Sequence, residues 1–116
     1  MRYLVLHYLD ESIFWDSDGN EIADPAFDQA VSAWDDEMMA RGVLVGGGAV
    51  RPVRDSTTLR VRSGEVLLTD GPYAETKEQM AGYMVLECAT LDEAIEAAAR
   101  HPSAAVGTFE VRPFLP

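Results

Sequence analysis

A chain of 116 residues and 12.7 kDa matches the size of a single hydrophobic core and leaves no room for a two-domain enzyme. Its hydrophobic fraction of 47% and charged fraction of 25% are those of a folding domain. Twenty acids against nine bases give a net charge of -11, a field that repels phosphate backbones and anionic headgroups and argues against nucleic-acid or membrane partners. Residues 1–40 hold ten of the acids and only Arg2 as a base.

The single cysteine, Cys88, can form neither an internal disulfide nor a multi-thiolate metal site, so it is expected to pack as a small hydrophobe. The apolar run Tyr3–Tyr8 lacks a signal-peptide pattern, and no run approaches the ~20 residues that span a bilayer. A cytoplasmic protein is the expectation.

Arg2–Leu9 reads as a strand with Tyr3, Val5 and His7 on one face and Leu4, Leu6 and Tyr8 on the other. Asp10–Asp24 is an acidic loop with the turn Ser17-Asp18-Gly19-Asn20, interrupted by Phe14 and Trp15, which are expected to cap the domain's own core or, less simply, to anchor a partner. Asp24-Pro25 starts a helix in which Phe27, Val31, Trp34 and Met38 form an apolar stripe, read as core, ending near Arg41-Gly42. Val43–Val50 is a second strand, and its Gly46-Gly47-Gly48 run reads as a bulge or close backbone packing, since neither a P-loop nor a dinucleotide spacing accompanies it.

Thr57–Arg62 and Glu65–Thr69 flank Ser63-Gly64 as a hairpin. Gly82–Cys88 is another strand, Thr90-Leu91-Asp92-Glu93 opens a helix running to about Arg100 with Leu91, Ala94, Ile95 and Ala98 on its apolar face, and Thr108–Phe114 is the last strand. The order strand, helix, strand, hairpin, strand, helix, strand predicts a ferredoxin-like α+β two-layer sandwich with an inserted β-hairpin. One sheet face would remain bare, and covering it with a second copy predicts a homodimer.

The densest collection of reactive side chains is Asp70-Gly71-Pro72-Tyr73-Ala74-Glu75-Thr76-Lys77-Glu78-Gln79, with three carboxylates, a phenol and the only lysine. This run closely resembles the signature of the DGPF family within the YCII-related group, with Tyr73 at the motif's aromatic position. The flanking elements and the ending Gly107-Thr108-Phe109-Glu110-Val111-Arg112-Pro113 extend the resemblance across the chain. It implies a dimeric α+β barrel with a cleft near the sheet and dimer interface. It also implies, for some members, association with extracytoplasmic-function sigma factors, and in the wider group a His-Asp pair and removal of chloride from a chlorinated hydroxyquinol. This chain departs from that pair: residues 25–41 contain no histidine, and the expected Asp-Pro step is His101-Pro102.

Two function classes follow. In the first, a small-molecule enzyme performs acid-base or lyase-like chemistry, with His101 and Asp70 as candidate catalytic residues and Tyr73, Glu75, Lys77 and His7 as candidate ligand-binding residues. His101, ending a helix, would carry a positive charge favoured by the helix dipole, a structural role, and His7 within its apolar strand reads more readily as a packed or hydrogen-bonded imidazole than as a catalyst or ligand. In the second, a non-catalytic dimeric module serves a regulatory pathway. No cofactor is implied, and no HxH or HExxH spacing indicates a metal.

Overall fold

A computed structural model describes the whole chain, Met1–Pro116. The strands are β1 (Arg2–Leu9), β2 (Leu44–Ala49), β3 (Thr57–Arg62), β4 (Glu65–Asp70), β5 (Gln79–Glu87) and β6 (Thr108–Pro113), with helices α1 (Pro25–Ala40) and α2 (Leu91–Ala99). Four strands form an antiparallel sheet in the order β2-β5-β1-β6, while β3 and β4 pair only with each other. The two helices pack on one sheet face, the ferredoxin-like arrangement expected from the element order.

Local chemistry accounts for the helix boundaries. The Asp24 carboxylate accepts from the Phe27 amide at 3.1 Å, Pro25 occupies the first turn, and Gly42 leaves α1 with φ +72°. Thr90 accepts from the Glu93 amide at 3.2 Å, and the Glu93 carboxylate returns to the Ala89 amide at 2.9 Å, a reciprocal cap that starts α2 after the strand.

The core lies where β1 and β5 meet the helices: Val5, Met38, Leu86 and Ala94 are fully enclosed, with Tyr3, Trp34, Met84 and Cys88 around them. Cys88 is a free, buried thiol. The apolar face of α2 differs from the one expected, since Ala94, Ala97 and Ala98 are buried while Leu91 and Ile95 are nearly half exposed. Alanines let the helix backbone approach the sheet closely, and that rotation turns the larger side chains outward.

Strand β5 starts at Gln79 instead of Gly82, because a bulge between His7 and Tyr8 resets the register and lets Leu9 pair with Gln79. In β2 a second irregularity falls between Leu44 and Gly46. Gly47, at φ +145°, lies so close to the Tyr83 carbonyl that a Cβ would collide with it, which makes this glycine a requirement of strand packing.

The β3–β4 pair stands away from the rest. Every one of its residues but the half-buried Thr58 is exposed, and the chain's radius of gyration of 16.0 Å exceeds the roughly 13 Å of a compact chain of this length.

Met38→Ala is expected to lower unfolding free energy by about 2–5 kcal/mol, because it opens a cavity in the fully enclosed core. Leu91→Ala should cost less than about 1 kcal/mol, since that side chain is nearly half exposed. Urea unfolding followed by tryptophan fluorescence separates the two.

Candidate functional site

The alternation of β1 sends Tyr3, Val5, His7 and Leu9 toward the helices, so a histidine occupies a position otherwise held by hydrophobes. His7 pairs with Phe109 across the β1–β6 ladder, and the two rings stack with centroids 4.1 Å apart. His101 reaches the same place from the end of α2. It caps the short turn Pro102–Ala105, where its Nδ1 accepts from the Ser103 amide at 3.1 Å. Its ring stands edge-on to Trp34 at 4.9 Å and to His7 at 5.1 Å.

Both imidazoles are buried, with 8% and 6% of their surface exposed. Burial holds His7 down at about 4, aided by the neighbouring His101, and burial alone holds His101 at about 4. Both are therefore neutral at pH 7, which corrects the expected helix-capping cation at His101. With Nδ1 occupied as an acceptor, the neutral His101 ring carries its proton on Nε2 and donates from there. The Nε2 atom of His7 is sealed from solvent with no hydrogen-bond partner.

These rings end a cleft of about 610 Å³ between α1, β2 and β5, a volume suited to a small organic molecule. Phe27, Val31 and Asp35 face it from α1, and Phe14 and Trp15 from the acidic loop. Gly46 and Gly48, where an added side chain would meet nothing, leave the β2 wall as bare backbone. Burial, reinforced by the adjacent Asp36 charge, raises the Asp35 carboxyl above its usual range. No lysine or arginine lines the cleft, whereas Glu21, Asp28 and Asp35 do.

The candidates from sequence divide into two groups. His7 and His101 come together in the cleft, but Asp70, Tyr73, Glu75 and Lys77 are absent from its lining. Asp70 lies exposed opposite Thr57, Tyr73 is 81% exposed, and Glu75 and Lys77 face solvent. The Asp70–His101 partnership considered from sequence is thus not formed. The loop is anchored through its backbone and through Glu78: Gly71, at φ +98°, donates its amide to the Ser56 carbonyl at 2.8 Å, the Thr58 hydroxyl donates to the Gly71 carbonyl at 2.7 Å, Gln79 Nε2 donates to the Thr76 carbonyl at 2.6 Å, and the Thr108 hydroxyl donates to the Glu78 carboxylate at 2.7 Å. Lys77 lies near Asp10, whose carboxyl is held low chiefly by the Ser12 hydroxyl and only weakly by that lysine.

Phe14 and Trp15 are half-buried within their own subunit, Phe14 against Phe27 at 5.1 Å and Trp15 beneath Arg51 at 5.5 Å. They serve as cleft wall. Asp35, Phe27 and Val31 were not anticipated at the site: the stripe on α1 reads uniformly as core, yet only Trp34 and Met38 are buried by it. No group of three or more histidine, cysteine, aspartate or glutamate side chains is placed to hold a metal ion. No helix is long and apolar enough to cross a membrane.

A ferredoxin-like α+β domain with a histidine-lined cleft is the class the geometry defines. The YCII-related domain family matches residues 1–116, and the chain belongs to that family. It is 37% identical to an uncharacterised protein of Rhizobium meliloti (strain 1021) over 115 residues, covering 97% of this chain and 91% of the relative. Among solved structures it is similar in fold to 5-chloro-2-hydroxyhydroquinone dehydrochlorinase from Burkholderia phenoliruptrix AC1100, in complex with 2,5-dihydroxybenzoquinone. That likeness has a TM-score of 0.50 and 14% identity, covering 99% of this chain and 94% of the other.

Two expectations follow from the buried pair. The folded chain resists protonating histidines whose ordinary value is 6.5, so between pH 6.5 and about 4 the unfolded chain binds more protons. Stability should therefore be complete above pH 6.5 and fall as pH drops through that window. Chemical denaturation at stepped pH measures this, and His7→Phe should flatten the slope. At pH 7 the same variant should be as stable as the parent or more stable by about 1–2 kcal/mol, because it removes an unpaired buried nitrogen while keeping the stack on Phe109.

Proposed function

We propose that this protein binds a small, hydroxylated organic molecule in the cleft and performs acid-base chemistry of the lyase type on it, acting as a homodimer. The observation that carries this reading is the pair of buried, neutral imidazoles at the end of an open cleft, one of them with an unpartnered nitrogen. The unpartnered Nε2 is sealed, so a ligand hydroxyl meets His7 through the ring's other nitrogen, Nδ1, which no hydrogen bond of the chain occupies.

The two rings divide the work. His7, without a committed hydrogen bond, accepts a proton from the substrate, and His101, with Nε2–H as its remaining polar group, donates to an oxygen or leaving group. A base that stays unprotonated down to about pH 4 is competent throughout the neutral range. The aromatic wall of Phe14, Trp15 and Phe27 favours a planar ligand, and the bare β2 backbone lets it approach closely.

The charge of the cleft selects further. With three carboxylates and no cationic side chain in the lining, a neutral or cationic ligand is favoured over a carboxylate or phosphate. The dehydrochlorination named for the structural neighbour is elimination chemistry on a hydroxylated aromatic ring, which fits this acid-base reading. A second copy would cover the sheet face opposite the helices, where Leu4, Leu6 and Tyr8 of β1 lie beside Val85, Tyr83 and Met80 of β5.

Tryptophan fluorescence titration with hydroquinone should show saturable quenching, with benzoate binding at least about tenfold more weakly. His7→Phe should abolish hydroquinone binding without loss of fold. Chlorohydroquinone incubated with the protein should release chloride at a rate nearly flat from pH 5 to pH 8. Binding without turnover would assign a binding module, and equal binding by His7→Phe would remove the site itself.

A further inference from the structure

The β3–β4 hairpin is an arm without a resting place on its own subunit. Its strands pair regularly from Thr57↔Asp70 to Arg62↔Glu65, and no other element of the chain packs on it beyond glancing contact. Isolated two-stranded hairpins are marginal in water, so one this regular calls for a covering surface.

Its two faces are chemically distinct. Leu59 stands opposite Leu68 and Val61 opposite Val66, which places four apolar side chains on one face, all between 53% and 65% exposed. Arg60 and Arg62 occupy the other face. Neither forms an ion pair within its own subunit, Arg62 included although Glu65 stands opposite it, while the chain carries eleven more acids than bases.

Charge identifies the occupant. Two unpaired arginines and an apolar strip would also suit an anionic membrane or a nucleic acid, but the field of the whole chain repels both. The opposite charge is present on the chain itself, whose first 40 residues hold ten acids and a single base. Two-fold symmetry lets each copy offer its basic arm to the other's acidic third, so both contacts form at once.

We propose that the β3–β4 hairpin is a dimerisation arm: its Leu59, Val61, Val66 and Leu68 face lies on a second copy of this chain, against the sheet face the helices leave bare, while Arg60 and Arg62 on the arm's outer face are drawn by the field of that acidic copy. This rests on the homodimer reading above and assigns the arm within it.

Sedimentation equilibrium of the full chain, with far-ultraviolet circular dichroism as the fold control, tests the assignment. The parent should have twice the 12.7 kDa of one chain. Leu59→Asp combined with Leu68→Asp should weaken association at least about tenfold, with Leu68→Ser as a milder variant that keeps the hairpin polar but uncharged. Arg60→Glu combined with Arg62→Glu should weaken association at low salt, the difference shrinking as salt screens the charges. A monomeric parent overturns both the dimer and the arm. A dimeric parent whose mass is unmoved by every variant overturns the arm alone and leaves the bare sheet face as the interface.

Discussion

Trp34 is the residue on which the arrangement of the helical layer and the site both depend. Its indole N–H donates to the Ala97 carbonyl at 3.0 Å inside the core, tying α1 to the last turn of α2. The same ring stands edge-on to His101, the residue that follows α2's cap, and so fixes where the chain turns into the cleft. Outside, Arg100 grips Glu37 through two guanidinium contacts of 2.8 and 3.0 Å and bridges the same pair of helices in solvent, where such a fork adds little energy but restrains rotation. The buried indole is the stronger constraint, because a polar atom in an apolar layer has only one place to be satisfied.

The cleft exists because neighbouring residues on one element do different work. Along α1, Trp34 and Met38 enter the core while Phe27, Val31 and Asp35 face open space. Across from them, β2 contributes almost no side chains, so the sheet edge is lowered by the depth of a side chain over three residues. Into that space project two histidines that burial has stripped of their charge. A core that kept Phe or Leu at position 7 would have no unpaired nitrogen, so the polar choice opposes stability at that point, and such local conflicts concentrate at functional sites.

The fold was legible because its signals are local and repeated. Alternation in β1, the caps at Asp24 and Thr90, and the glycine after α1 each act within a few residues, and they recur in the structure at those places. The site was half legible. His7 and His101 stood out as the only histidines and both line the cleft, whereas Asp70, Tyr73, Glu75 and Lys77 are absent from its lining, in a loop where the Thr76 and Gln79 side chains donate to backbone carbonyls. A cluster in sequence marks a turn as readily as a site, because polar side chains at short spacing bond first to the nearest amides and carbonyls.

By itself the sequence determined the strand and helix order, the acidic N-terminal third, the faces of β1 and the need for glycine where chains approach closely, all consequences of periodicity, charge and backbone freedom. Only the tertiary structure decided that residues 94 positions apart would meet. His7 and His101 touch because β1 lies at the centre of the sheet and α2 delivers its end beside β6, and no local property of either segment encodes that contact. Their lost charge has the same origin, for desolvation belongs to the surroundings and not to the residue.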